Sequence, residues 1–307
     1  MTVTKFQKRL KPFVLPLAIV FGFLFYKPIA HLQFLVPYII FTMLFITFCR
    51  VRPSRFRPGR MVWMLLAVQV LGSVAIFFAL RPLGLSLAQS AMICVLCPTA
   101  TAAPVVTGLL GGSIERVASY SIVCNLTMAI FAPMFFVVAN PGGEVDFFRA
   151  SMEIAMNLAP MIVFPLGAAL LLGIFAPKAH DAVAKVQGVS FYLWAVSLFL
   201  VVGKAVGFVM SEPSSEAPVM IAMAITAALI CLVQFAVGRY IGGRCGDKVS
   251  AAQGLAQKNT VLGIWMALNY LLPVSSIGPA AYIIWQNLVN SWQLFRKTRA
   301  EASGSMN

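Results

Sequence analysis

The sequence predicts an all-α polytopic membrane protein, with ten transmembrane helices arranged as two inverted five-helix repeats. Composition is the first reason. Of 307 residues, 60% are hydrophobic and 10% charged, and the mean hydropathy is +0.89. Soluble domains carry about 25% charged residues, so this chain has too few to clothe itself in a water-facing surface. The second reason is that the apolar residues fall into ten runs, each near the ~20 residues that a helix needs to cross a bilayer. The third is that basic residues gather in alternate connections between those runs, as the positive-inside rule describes.

The runs lie near 12–29, 31–49, 61–80, 84–110, 114–139, 149–176, 186–209, 217–240, 248–271 and 277–295. The first has a basic leader and could imitate a signal peptide. It lacks a small-x-small cleavage site and another apolar run follows at once, so it reads as a retained helix. With the N-terminus cytoplasmic, the inner segments carry Lys5, Lys8, Arg9 and Lys11, then Arg50, Arg52, Arg55, Arg57 and Arg60, then Arg116. They continue with Lys178 and Lys185, with Arg239, Arg244 and Lys248, and with Arg296, Lys297 and Arg299. The outer segments carry only Lys27, Arg81 and Arg149, while Glu144, Asp146, Glu212 and Glu216 all fall outside. This places both termini in the cytoplasm. With so little extramembrane chain, it points to a bacterial inner membrane and, despite a net charge of +14, excludes nucleic acid as the partner. Cys94 and Cys97 form a C-x-x-C, but no second cysteine or histidine pair accompanies it. All six cysteines read as small packing residues, and no metal or cofactor is expected.

Ten spans divide into halves at 1–145 and 146–307. An odd number of spans per half forces opposite orientations, which is the plan of many secondary transporters. Its mark is a pair of interrupted helices at corresponding positions, and the fourth span of each half shows it: CPTATAAPVVTGLLGG at 97–112 and AQKNTVLG at 256–263. Pro98 removes a helical N–H and opens span four, after which Thr99 and Thr101 are placed to cap the restarted half-helix, with Pro104 in its first turn. That half-helix aims a partial positive charge at the midplane, an anion site in outline.

Span nine holds Gln257, Lys258, Asn259 and Thr260 in succession, which cannot all face lipid. Lys258 lies ten residues beyond the basic loop, roughly 15 Å along a helix, too deep to snorkel. If the two breaks cross, Lys258 meets carbonyls freed near Thr99–Ala103. Lys204, near the outer end of its span, is read as snorkelling. Span ten adds WQNLVNSW with Gln286, Asn287 and Asn290, as substrate contacts or interhelical hydrogen bonds. Gln69, Gln89, Asn125 and Asn157 are further membrane amides suited to holding helices together.

The stretch CPTATAAPVVTGLLGGSIERVASYSIVCNLTMAIFAP, with QKNTVLGIWMAL and WQNLVNS, resembles the bile acid:sodium symporter family over its whole ten-helix layout. The corresponding family patterns are C-P-G-G-T-A-S-N-V-V-T, E-x-G-M-Q-N-S-G-L-A and W-H-N-I-S-G-S. The resemblance implies a panel domain (helices 1, 2, 6, 7) and a core domain (helices 3–5, 8–10) in which broken helices 4 and 9 cross. It also implies alternating-access transport of organic anions with sodium. The family's sodium ligands are largely replaced. Its glutamate falls on Gly254, its glutamine on Lys258 and its Ser-Asn pair on Ala103 and Pro104. Of two fifth-helix hydroxyl positions one falls on Val117, and only Ser121 survives. Sodium wants about five or six oxygen ligands, and an ammonium would repel it. Lys258, with Gln257, Asn259, Thr260 and Gln69 about it, is therefore expected to stand in for the ion.

The expected function is secondary transport of a small carboxylate or sulfonate, with Thr99, Thr101, Gln286, Asn287 and Asn290 as substrate contacts. Sodium or proton coupling through rearranged ligands, or a ligand sensor that does not transport, are the alternatives. With His31 and His180 both near loops and no His/Asp/Ser constellation in a shared span, the chain is not expected to be an enzyme.

Overall fold

A computed structural model describes residues 5–49, 58–140, 146–211 and 217–304. Four arginines of the first inner loop (Arg50, Arg52, Arg55, Arg57) and the acidic Glu144, Glu212 and Glu216 lie outside them. Among the described residues the chain is almost wholly α-helical, with no strand. The helices are α1 (Lys5–Leu24), α2 (Tyr26–Ile29), α3 (Val36–Phe48), α4 (Arg60–Leu80), α5 (Leu85–Leu96), α6 (Ala103–Leu110) and α7 (Ile114–Ala139). They continue with α8 (Phe147–Phe175), α9 (Pro177–Lys185), α10 (Gln187–Met210), α11 (Ala217–Arg244), α12 (Lys248–Ala256), α13 (Thr260–Tyr270) and α14 (Ile277–Gly304).

Among the described residues, five helical stretches are long and apolar enough to cross a membrane: Tyr26–Phe48, Arg60–Leu83, Ile114–Ala139, Val189–Met210 and Ala217–Arg244. The exposed side chains along them are large and apolar, such as Phe78, Leu126, Ile130, Leu229 and Leu232, as a lipid-facing surface requires. The chain is thus a helical membrane protein.

Local chemistry explains the boundaries. Ser113, Asp146, Asp247 and Asn259 cap α7, α8, α12 and α13, each accepting a backbone N–H from the first turn, which supplies an otherwise orphaned donor with a partner. α6 ends at Gly111, whose φ of 87° is the left-handed conformation that closes a helix without a Cβ penalty. Three features depart from the sequence reading. α9 forms where a plain loop was expected, begun by Pro177 at its first position. A 3-10 segment at Ala30–Leu35 joins α2 to α3 with no open turn. α14 continues past the expected end at 295, through a tail of good helix formers.

Packing is densest within two sets of helices, which also touch each other through α6, α7 and α14. α3 lies on α8 and α10, and α1 lies on α10. α4, α5, α7 and α11–α14 pack around the two short pairs α5/α6 and α12/α13. The tightest seam joins α11 to α12. There a Cβ on Gly238 would fall 2.6 Å from the Ala252 Cα, and one on Gly242 would fall 2.7 Å from the Lys248 Cα. The two glycines, four residues apart, let backbones meet as small-xxx-small packing does in membranes. Gly242→Ala should therefore lower stability by about 1–3 kcal/mol through overpacking. Gly167→Ala, with nothing within 4 Å of its added Cβ, should be neutral or slightly stabilising. Thermal unfolding of both variants in detergent checks the contrast.

Candidate functional site

The site begins with a missing hydrogen. The last helical bond of α5 runs from the Cys97 N–H to the Ile93 oxygen at 2.9 Å. Pro98 has no N–H for the Cys94 carbonyl, and the chain turns extended, so the carbonyls of Cys94, Val95, Leu96 and the cap residue Cys97 are left without helical partners. Side chains replace them. Gln234 Nε2 donates to Cys94 O at 3.3 Å, and Lys258 Nζ donates to Val95 O at 2.9 Å. Gln69 Nε2 donates to both Leu96 O and Cys97 O, at 2.8 and 2.9 Å.

The second break is satisfied in the same manner. α12 ends at Ala256, whose oxygen accepts from the Tyr282 hydroxyl at 2.9 Å. Thr99 Oγ1 donates to Gly254 O at 2.9 Å. Gln286 clasps the Lys258 backbone, its Oε1 accepting from the N–H at 2.7 Å and its Nε2 donating to the carbonyl at 3.2 Å. The two breaks then pair with each other. Ala100 N–H donates to Gln257 O, and Asn259 N–H donates to Pro98 O, both at 2.8 Å. These two bonds form a single antiparallel bridge centred on Thr99 and Lys258.

This arrangement places a buried ammonium at the C-terminal end of α5, where the helix carries partial negative charge. Lys258 is 1% exposed. Burying it costs at least about 2.5–3.5 kcal/mol on insertion scales. A charge-assisted hydrogen bond returns about 1.5–3 kcal/mol, so the two effects come close to balance. Its acceptor is Val95 O, in the last turn of α5 and upstream of the Thr99–Ala103 stretch expected from the sequence.

Two adjoining cavities flank the crossing. The smaller, about 80 Å³, lies between the breaks and α3/α10. Thr101, Gln257, Lys258, Asn259, Thr260, Gln286 and Asn287 line it on one side, and Ile40, Trp194, Ser197, Leu198 and Val201 on the other. The larger, about 420 Å³, is bounded by α8, α10, α13 and α14 and is mostly apolar. Its polar lining is Asn157, Lys204 and Asn259. Lys204, read as a snorkelling lysine, thus borders a cavity. Val201, Asn259 and Val261 line both spaces.

The remaining expected residues lie elsewhere. Thr99 is fully buried and turned onto α12 through Gly254 O, so neither it nor Thr101 caps α6. The cap position is Ala102, with no side-chain hydrogen bond. Asn290 lines neither cavity and accepts from Gln253 Nε2 at 2.9 Å. Ala103 and Pro104 form the buried first turn of α6. Ser121 Oγ accepts from Asn125 Nδ2 within α7 at 3.2 Å. Gly254 faces the Tyr120 ring, where an added Cβ would stand 2.9 Å from a ring carbon. A larger side chain there has no room.

Three site residues escaped the sequence reading: Tyr120, Gln234 and Tyr282. They complete two matching pairs. In the first half of the chain Tyr120 OH donates to Gln69 Oε1 at 2.5 Å; in the second, Gln234 Nε2 donates to Tyr282 OH at 3.2 Å. Gln69 and Gln234, Tyr120 and Tyr282, and the bridge partners Thr99 and Lys258 are each separated by about 160 residues, near the offset an internal repeat of this length requires. That common offset is the signal by which they could have been found. A scan against protein-family models and a search of curated proteins return no match to this chain.

Proposed function

We propose that this protein is a secondary transporter of a small organic anion, working by alternating access, in which Lys258 supplies the positive charge that bound sodium supplies in the bile acid:sodium symporters it resembles. The observation that carries the reading is the reciprocal pairing of two helix breaks around a buried ammonium, beside a cavity that Lys258 and its neighbours line. An ammonium has three donors. A carboxylate in the smaller cavity would take the ones that Val95 leaves, with Thr101, Gln286 and Asn287 around it. The apolar body of the substrate would extend into the larger space, near Lys204 and Asn157.

The ten-span thread with cytoplasmic termini, the two inverted repeats at 1–145 and 146–307, and the location in a bacterial inner membrane belong to the same proposal. The matched Gln–Tyr pairs support the repeat. The heavy packing of α1 on α10 and of α3 on α8 and α10 supports a panel domain, which α6, α7 and α14 then adjoin. Irregular backbone at membrane depth is tolerated only where it is buried in protein or lines a cavity, and both breaks meet that condition.

Flux is the test. Purified protein in proteoliposomes should carry radiolabelled organic anions such as pantoate, a carboxylate, or taurocholate, a sulfonate, down their gradients, at equal rates in sodium and potassium media. Saturable binding of these probes without flux would make the protein a ligand sensor instead.

A further inference from the structure

A third cavity with a different chemistry opens where α4 and α7 begin and α11 ends. It measures about 280 Å³ and is lined by Gly59, Arg60, Arg116, Arg244 and Cys245 among others. Three arginines from three helices face one space with no carboxylate in its lining. The acidic residues nearest Arg116 and Arg244 in sequence, Glu115 and Asp247, are engaged elsewhere. Glu115 accepts from Ser113 Oγ at 3.0 Å, and Asp247 accepts from the Ser113 and Ser250 N–H groups at 3.2 and 2.9 Å. Among the described residues the salt bridges are Arg149–Glu153 and His180–Asp181, so none involves these arginines.

Two of the three charges also oppose the helices that carry them. Arg60 is the first residue of α4 and Arg116 the third of α7, which puts cations at the positive ends of two dipoles. Gly59, at the cap position of α4, offers no side-chain cap, and it lines the same cavity with Arg60 and Met61. The guanidinium of Arg116 is fixed, donating from Nη1 to Cys245 O at 3.0 Å, and that of Arg244 sits 4.5 Å from the centre of the Tyr240 ring. Like charges held together with uncapped N–H groups form a preorganised receptor for an anion.

We propose that this cleft binds a phosphate group, and that the phosphate belongs to the headgroup of an anionic phospholipid. Exposed Trp63 and Tyr240 beside the arginines favour the lipid source, since such aromatics sit at headgroup level, and basic pockets between membrane helices take anionic headgroups.

The test is thermal unfolding of the detergent-purified chain on titration with phosphatidylglycerol, phosphatidylcholine or inorganic phosphate at matched ionic strength. Phosphatidylglycerol should raise the midpoint and phosphatidylcholine should not. Apparent affinity should fall roughly fivefold for each arginine changed to glutamine, and the response should vanish in Arg60→Gln/Arg116→Gln/Arg244→Gln. Arg60→Gln alone, at an exposed helix start, suffices should the triple variant fail to fold. Saturation by inorganic phosphate to the same midpoint would overturn the lipid assignment. An equal response to both lipids, or an undiminished response in the variants, would overturn the site itself.

Discussion

Lys258→Met is expected to weaken organic anion binding by more than roughly tenfold, the value of one charge-assisted hydrogen bond, while stability stays within about 1–2 kcal/mol of wild type. Two opposing effects give the second half of that expectation. Methionine leaves Val95 O unpaired, which costs about 1–3 kcal/mol. It also removes a buried ammonium whose desolvation costs about as much or more. The bridge itself survives, because Gln286 and Ala100 bind the backbone at this crossing and not the ammonium. A lysine that served only structure would give the reverse pattern, with lost stability and unchanged binding. Isothermal titration with pantoate or taurocholate, beside thermal unfolding, separates the two.

Gln69→Leu should do the opposite, destabilising by about 2–4 kcal/mol. The volume is kept, but Leu96 O, Cys97 O and the Tyr120 hydroxyl, all fully buried, lose a partner. Each unpaired buried group costs about 1–3 kcal/mol, and measured interhelical bonds in membranes fall toward the lower end. Gln69→Glu keeps the shape and the acceptor for Tyr120 but loses both donors, so it should destabilise as well. Chemical or thermal unfolding of the two variants in one detergent checks the series.

How much of this was legible in the sequence depended on whether the signal was local. Pro98 announces the end of α5 because a missing N–H acts at a fixed distance along the helix. Four successive polar residues at 257–260 announce the second break because none can rest against lipid. Capping was misread for a geometric reason. Thr99 lies in the strand-like bridge, so its hydroxyl points across to α12 and Ala102 takes the cap position. Tyr120 and Tyr282 look like ordinary apolar-run aromatics, and only the fold shows their hydroxyls ending on a glutamine and a freed carbonyl. The same breaks explain why the runs near 84–110 and 248–271 do not stand out by length and hydropathy, because α5, α6, α12 and α13 are each too short alone. Gly254, aligned with a sodium-binding glutamate, is small because the Tyr120 ring fills the space. That packing requirement leaves no trace in composition or periodicity.

The central claim is that Lys258 occupies the place of a bound cation, and the most direct measurement is sodium dependence of stability. Wild type and Lys258→Gln would be unfolded thermally in sodium and in potassium chloride of equal ionic strength, with Gly254 left unchanged because a glutamate there would strike the Tyr120 ring. The account predicts one midpoint for wild type in both salts, since the ammonium already fills the charge. A sodium-specific rise in wild type at millimolar concentration would contradict it and make this an ion-binding symporter with rearranged ligands.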